Sequence, residues 1–269
     1  MKTLIVVPAR YGSTRFPGKP LTLIAGKSMV SRVANMAQKA VRALPDAAHV
    51  VATDDPRIEM HCQTHGIPVV MTDPALPSGS DRALAAAEAL GAEPAIIVNL
   101  QGDSPFTPPA HIVAVAEAAM ESGADAATPY VRLSWSALDA LRTHKEQTPF
   151  SGTTLTHDVN GRALWFSKIV LPAMRKEPAL REAGPLSPVC RHIGLYAFKH
   201  DALRRYVSLP EGYYEQLEGL EQLRLLENGM SIQCVAVEPD RIAIPGIDTP
   251  EDVALAERLI AEHGDPAGD

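Results

Sequence analysis

The first half of the chain alternates short β-prone runs with longer segments whose apolar residues recur at helical spacing. That alternation leaves few architectures open. Thr3 to Val7 is a continuous β-prone run. Ser28 stands where it can cap a helix carrying Val30, Val33, Ala37 and Val41 on one face. His49 to Ala52 reads as a second strand, Asp54 with Pro56 as a helix start, and Ile67 to Met71 as a third strand. Ser78 or Ser80 caps an alanine-rich helix that runs through Leu90. Ala95 to Leu100 is the strongest buried strand, and a helix follows from about Pro109 to Ser122. Repeated strand–helix units with near-continuous apolar strands predict a doubly wound α/β fold, its mostly parallel sheet covered on both faces.

The second half is less regular. Thr153 to His157 and Arg162 to Phe166 flank an Asn160-Gly161 turn, which predicts a hairpin. Pro172 to Pro188 is rich in proline and charge and is expected to be a mobile loop. His192 to Phe198 reads as one strand, Tyr214 to Glu227 as one helix ended by Asn228-Gly229, and Ile232 to Val237 as a strand. A last helix follows Thr249-Pro250. With no repeat, low-complexity run or clean linker, residues 1–269 are expected to form a single domain, with a smaller β-rich insertion and dimerisation region at about 130–200.

Composition removes several function classes. Aromatic residues make up 5% and the net charge is −7, which argues against a nucleic-acid partner. The apolar start at Thr3 is too short for a membrane span and lacks a signal-peptide layout, so no membrane insertion and a cytoplasmic location are expected. Cys62, Cys190 and Cys234 are scattered, without metal-ligand spacing, and fit idle thiols in a reducing compartment.

Within this acidic chain, residues 1–45 carry Lys2, Arg10, Arg15, Lys19, Lys27, Arg32, Lys39 and Arg42 and no Asp or Glu. Such an opening concentrates positive charge for an anion. Arg32, Lys39 and Arg42 fit a solvated helix face. Arg10, Arg15 and Lys19 do not, because they sit between strand and helix signals in the stretch Pro8-Ala9-Arg10-Tyr11-Gly12-Ser13-Thr14-Arg15-Phe16-Pro17-Gly18-Lys19-Pro20-Leu21. Ligands bind where the strands of an open α/β sheet end. Glycines let backbone N–H groups approach an anion, arginines grip phosphate in bidentate fashion, and Lys19 adds a point charge. It is not a Walker A loop, since five residues separate Gly12 from Gly18 and Pro20 follows the lysine. Asp103, after the strongest strand, is either a turn residue or a ligand at the sheet edge. Asp248, before Thr249-Pro250-Glu251, is either helix capping or a ligand.

This loop resembles the nucleotide-binding signature of the CMP-Kdo synthetase family (3-deoxy-manno-octulosonate cytidylyltransferase). The likeness extends to Ser78-Gly79-Ser80-Asp81-Arg82, Asn99-Leu100-Gln101-Gly102-Asp103, Arg191-His192-Ile193-Gly194-Leu195-Tyr196, Leu220-Glu221-Gln222-Leu223-Arg224 and Asp248-Thr249-Pro250-Glu251-Asp252, in that order over nearly the whole chain. The resemblance implies a nucleotidyltransferase that converts CTP and the acidic sugar Kdo to CMP-Kdo and pyrophosphate, for lipopolysaccharide biosynthesis. It implies Mg²⁺ bound by Asp103 and Asp248, and usually a homodimer. Arg10, Ser13, Arg15 and Lys19 map to triphosphate contacts, with Lys19, Asp103 and Asp248 as the catalytic set. Ser78, Gly79, Arg82 and Gln101 map to the nucleotide. His192, Tyr196, Glu221 and Gln222 map to the sugar pocket, and Lys168 is expected to help shape that pocket and tune its preference among sugars. The sequence departs from the family at Ser104, where Glu usually follows the aspartate, and at Lys168, where Arg is usual. The family's Asn-Pro-x-x-Val-Lys stretch is not recognisable near Pro149 to Thr154. The alternatives are a transferase for another acidic sugar, such as an amino derivative of Kdo or a sialic acid, and a non-catalytic nucleotide sensor on the same fold.

Overall fold

The computed structural model describes residues 1–12, 16–239 and 246–268. β1 (Thr3–Ala9) is buried at every residue except Pro8. A 3-10 turn, Lys19–Leu21, and a small hairpin of β2 (Leu23–Ile24) and β3 (Lys27–Ser28) lead into α1 (Met29–Val41), capped by Ser28 as expected. There follow β4 (Ala47–Thr53), α2 (Pro56–Thr64), β5 (Val69–Met71), α3 (Gly79–Ala89), β6 (Ile96–Leu100) and α4 (Pro109–Glu121). The chain continues through β7 (Ala126–Ser134), α5 (Trp135–Gln147), β8 (Thr154–His157), β9 (Ala163–Ser167), α6 (Glu177–Ala183), β10 (Leu186–His192) and β11 (Leu195–Lys199). It closes with α7 (His200–Ser208), α8 (Tyr213–Glu218), α9 (Gln222–Glu227), β12 (Ile232–Ala236) and α10 (Pro250–His263).

One large sheet runs β5-β4-β1-β6-β11-β7-β10-β8-β9, with β12 added on β7. The ladders from β5 to β6 are parallel, as is β12 on β7; β11 is antiparallel to both β6 and β7. Successive residues of β1 feed opposite faces. Ile5 and Val7 join a core with α1, α2 and α4, while Leu4 and Val6 join a second core with α3, α7 and α9. This is the doubly wound architecture the alternation predicts. A third, smaller cluster of Leu133, Trp135, Leu138, Leu141 and Val189 lies within the 130–200 stretch, which carries α5 and α6 as well as strands.

Three expectations are corrected. The strand expected over His192 to Phe198 is two strands, β10 and β11, broken at Ile193-Gly194, where the Leu195 amide donates to the Ile193 carbonyl (2.8 Å). The helix expected over Tyr214 to Glu227 is α8 and α9, parted by Gly219 in the left-handed region (φ 62°). The loop expected over Pro172 to Pro188 contains α6 and the start of β10. Its anchor is Glu177, gripped in bidentate fashion by Arg142 (2.8 and 2.8 Å) and also paired with Arg181 (2.7 Å).

Part of the basic opening has a structural use that differs from the solvated face expected for it. Arg32 is fully buried. Its guanidinium donates to Asp265 (2.7 Å) and to the Ile24 carbonyl (2.9 Å). Lys39 donates to the Pro266 and Gly268 carbonyls (3.0 and 2.7 Å), and Lys27 to that of Ala267 (2.8 Å). The segment after α10 brings carbonyls and a carboxylate against α1, and these side chains supply the donors that such groups need on burial. Among the described residues no helix is long and apolar enough to cross a membrane.

Candidate active site

From β1 the chain moves outward to β4 and β5, then returns on the other side of β1 to form β6. A crevice opens outside the carboxyl ends of the two strands where that direction reverses. The basic loop leaves β1 there, and Gln101-Gly102-Asp103 leaves β6 beside it. A Cβ on Gly102 would lie 2.1 Å from the Pro8 carbonyl oxygen, so only glycine permits this approach.

Lys19 stands at the centre of the crevice. Its Nζ donates to Asp103 Oδ2 (2.9 Å) and Asp248 Oδ1 (3.0 Å), joining residues from three distant parts of the chain. Asp248 is delivered by two supports. The Ile247 amide donates to the Asp103 carbonyl (2.9 Å), and Thr249 caps α10 with Asp252 closing a capping box. Burial alone would lower the Lys19 pKa, but the two carboxylates outweigh it and raise the pKa above the usual lysine value. The ammonium in turn offsets the repulsion between the carboxylates. Among the described residues no group of three or more His, Cys, Asp and Glu side chains gathers as a metal site. Two carboxylates are hard oxygen donors of the kind Mg²⁺ takes, and that ion rarely needs an all-protein cage.

The other nucleotide-side residues divide. Arg10 donates through Nη2 to the Leu76 carbonyl, which ties the basic loop to the approach to α3. Ser78 caps α3 by accepting from the Ser80 and Asp81 amides (3.2 and 3.2 Å), and Gly79 packs against Asn99 and Pro8. Arg82 is fully buried, and its guanidinium is committed to Asp54 (2.9 Å) and Thr72 (2.5 Å). It therefore braces α3 against the residues that directly follow β4 and β5, while its buried Nε has no hydrogen-bond partner. Ser13 and Arg15 lie outside the described residues.

Gln101 faces a second space, an open cavity of about 320 Å³ that Arg191, His192, Tyr196, Glu221 and Gln222 also line. Both corrected breaks form its walls, Gly194 from the β10–β11 break and Gly219 from the α8–α9 break. Thr128 Oγ1 donates its proton to the Leu195 carbonyl (2.8 Å), so it accepts from His192 Nε2 (2.9 Å). Tyr196 Oη lies 3.0 Å from the same nitrogen. This network assigns the Nε2–H tautomer and leaves Nδ1 an acceptor. Burial, with Lys168 nearby, drives the His192 pKa down to about 3, so the ring is neutral at physiological pH. Burial also raises Tyr196 well above the usual phenol value and raises Glu221, the latter partly offset by Arg224. Gln222 is 5% exposed, and its Nε2 has no hydrogen-bond partner. Lys168 does not line the cavity, although its charge is felt at His192. Thr153 and Arg191 are lining residues that sequence reasoning did not single out; Arg191 was legible only as the first residue of a motif.

A protein-family model described as Cytidylyltransferase matches residues 4–232. A protein of Maricaulis maris (strain MCS10) named 3-deoxy-manno-octulosonate cytidylyltransferase is 40% identical over 267 residues, 98% of this chain and 99% of the relative. A relative of the same name from Xylella fastidiosa (strain Temecula1 / ATCC 700964) is 41% identical over 269 residues, 97% of this chain and 100% of its own. Among solved structures, a CMP:2-keto-3-deoxy-manno-octonic acid synthetase complexed with CTP superposes with a TM-score of 0.81 at 33% identity, over 97% of this chain and 99% of the other. A cytidylyltransferase from Leptospira borgpetersenii, 16% identical with a TM-score of 0.59, shares the fold.

Proposed function

Because the chain belongs to the 3-deoxy-manno-octulosonate cytidylyltransferase family of nucleotidyltransferases, we propose that it transfers CMP from CTP to the anomeric hydroxyl of 3-deoxy-manno-octulosonate and releases pyrophosphate. The observation that carries this reading is the junction at Gln101-Gly102-Asp103. Asp103 shares the Lys19 ammonium with Asp248 on one side, and Gln101 lines a cavity of monosaccharide class on the other. A reaction that joins a nucleotide to a small acid needs two such sites within a few residues of each other.

The sugar oxygen forms a bond to the α-phosphorus, the bond to the bridging α–β oxygen breaks, and its electron pair leaves on pyrophosphate. The hydroxyl proton passes to solvent. Little covalent chemistry falls to the protein, so positioning and charge neutralisation dominate. Lys19 neutralises charge growing on the leaving pyrophosphate, and Arg10 holds the basic loop in place. Asp103 and Asp248 are the residues that would hold Mg²⁺; the chemistry the ion supplies when bound is charge neutralisation at the phosphates. His192 Nδ1 accepts from a sugar hydroxyl, while Arg191 and Lys168 give the cavity the positive field that a sugar carboxylate needs.

The same reading extends to a homodimer working in the cytoplasm. β9 is an edge strand, and Leu164 on it and Ile169 just after it are exposed, as are Tyr213 and Leu217 on α8, whose Tyr214 packs against Trp165 of β9. Apolar residues at a sheet edge are suited to a partner copy. The three cysteines are buried and unpaired, as in a reducing compartment. Light scattering on the purified chain tests the dimer; a monomer at micromolar concentration would remove it. The activity is tested by pyrophosphate release from CTP with Mg²⁺ over a panel of acidic sugars. Release should require the sugar and be fastest with 3-deoxy-manno-octulosonate. A stronger preference for an amino derivative or a sialic acid would reassign the acceptor, and sugar-independent or absent release would reject the transferase.

A further inference from the structure

One stretch lining the acceptor cavity is Gly152-Thr153, in the segment where the family's Asn-Pro-x-x-Val-Lys stretch is not recognisable. A side chain that touches none of the cavity holds it. Lys145, in the last turn of α5, donates from Nζ to the Gly152 carbonyl (2.9 Å), the Ser151 carbonyl and the Lys168 carbonyl (2.5 Å), with the Pro149 carbonyl at 3.4 Å. An ammonium has three protons. Four carbonyls therefore use all of them, and none is left for a substrate.

Lys168 is held through its other backbone group as well. Its amide donates to Glu218 Oε2 (2.8 Å), and the Ser167 hydroxyl donates to Glu218 Oε1 (2.7 Å). Glu218 is the last residue of α8, directly before Gly219, Leu220, Glu221 and Gln222, which also line the cavity. One residue, Lys168, is thus tied through its carbonyl to one lining stretch, by way of Lys145, and through its amide to the residue that precedes the other.

We propose that Lys145 and Glu218 form a clamp on the backbone of Lys168 that sets the spacing of these two lining stretches of the acceptor cavity, and so the size of acidic sugar it accepts. The inference rests on the acceptor reading given above. Both are positioning residues: neither lines the cavity, and each acts through backbone groups that do or that adjoin it. The clamp is made of charge-assisted hydrogen bonds, which fix geometry more firmly than neutral ones. Its cost is electrostatic. Burial, with Lys168 and Arg191 close by, lowers the Lys145 pKa, and Glu218 partly offsets this.

The test compares the wild type with Lys145→Met, which keeps the length of the side chain and removes its protons. Lys145→Arg serves as the conservative rescue. The readouts are steady-state kinetics and amide hydrogen exchange of the whole protein. In Lys145→Met the KM for 3-deoxy-manno-octulosonate should rise about tenfold while the KM for CTP stays within about twofold. Discrimination against a larger nine-carbon acidic sugar should fall. Exchange should quicken at residues 151–153 and 168–171, and Lys145→Arg should recover most of both effects. Glu218→Gln, which weakens the opposite jaw, should move the same acceptor KM. Faster exchange with an unchanged acceptor KM, or equal rises in both KM values, would overturn the clamp. So would unchanged exchange. If the wild type turns over no acidic sugar at all, the acceptor reading fails, and the exchange result still decides whether Lys145 holds the wall.

Discussion

The two halves of the site are built on different principles. On the nucleotide side, formal charges meet in the open crevice, where one ammonium is shared by two carboxylates drawn from loops 84 and 229 residues away from it. On the acceptor side, the environment suppresses charge. His192 is kept neutral at a pKa of about 3, while Tyr196 and Glu221 are both shifted towards their protonated forms. The first arrangement suits a highly charged ligand that brings its own counter-ions. The second suits a sugar read hydroxyl by hydroxyl, where a wandering proton would blur recognition.

The contrast breaks most sharply at the carboxylates. Asp103→Asn or Asp248→Asn should each lower turnover by about 10²- to 10³-fold, a loss of the size seen when one charge-stabilising group leaves an active site. The melting temperature should hold nearly constant, because neither residue is core. Near-normal turnover at working Mg²⁺ would remove that residue from the metal site.

Gly102→Ala strikes the junction. The new Cβ meets a backbone oxygen at 2.1 Å, which cannot swing away as a side chain could. Both sides should suffer together, with a loss of at least about 10²-fold in kcat/KM from misplacement and a clear fall in urea midpoint. Damage to only one substrate would mean that the two halves are not coupled through this loop.

Lys19→Ala should instead separate the sides. It removes the shared ammonium, so kcat/KM for CTP should fall roughly 10-fold to 10²-fold, while sugar affinity stays within about twofold. An effect confined to the sugar would place the basic loop at the wrong end of the reaction.

The smallest effect expected is a pH signature. His192 has a folded pKa of about 3 against an ordinary value near 6.5. Between those values the unfolded chain binds the proton and the folded one does not. His192 therefore costs no stability above about pH 6.5 and costs progressively more as the pH falls towards 3, by at most about 1.4 kcal/mol per pH unit. His192→Gln should flatten the stability curve in that window relative to the wild type and leave it unchanged above pH 7. In the wild type, the acceptor KM should show no imidazole titration from pH 5 to 8. A break near pH 6 would show that the ring is not held neutral.

What the sequence made legible was local. Ser28, Ser78 and Thr249 each cap the helix that follows, because a capping side chain bonds backbone two or three residues on. The basic loop stood out for the same local reason, whereas Asp103 and Asp248 read equally well as turn or capping residues, and only the family resemblance marked them as ligands. Long-range partnerships were hidden. Arg32 looks like a solvated helix residue until Asp265, 233 positions away, is brought against it. Lys145 looks like an ordinary charge at a helix end, and only the fold returns four carbonyls to it. The break at Gly219 was missed because Leu217, Leu220 and Leu223 continue a helical apolar pattern across it, and a glycine alone does not announce a left-handed turn. Residues 172–188 were read from proline and charge content, whereas their order comes from Arg142 and Arg181, of which Arg142 is on another helix.

The most direct test of the whole account follows one phosphorus atom. CTP labelled at the α-phosphate is incubated with the protein, Mg²⁺ and 3-deoxy-manno-octulosonate, and products are separated as label accumulates. The label should move into a CMP-linked sugar, unlabelled pyrophosphate should form in equal amount, and neither should form without the sugar. Labelled CMP released in the absence of sugar, or a sugar carrying only the γ-phosphate, would contradict this.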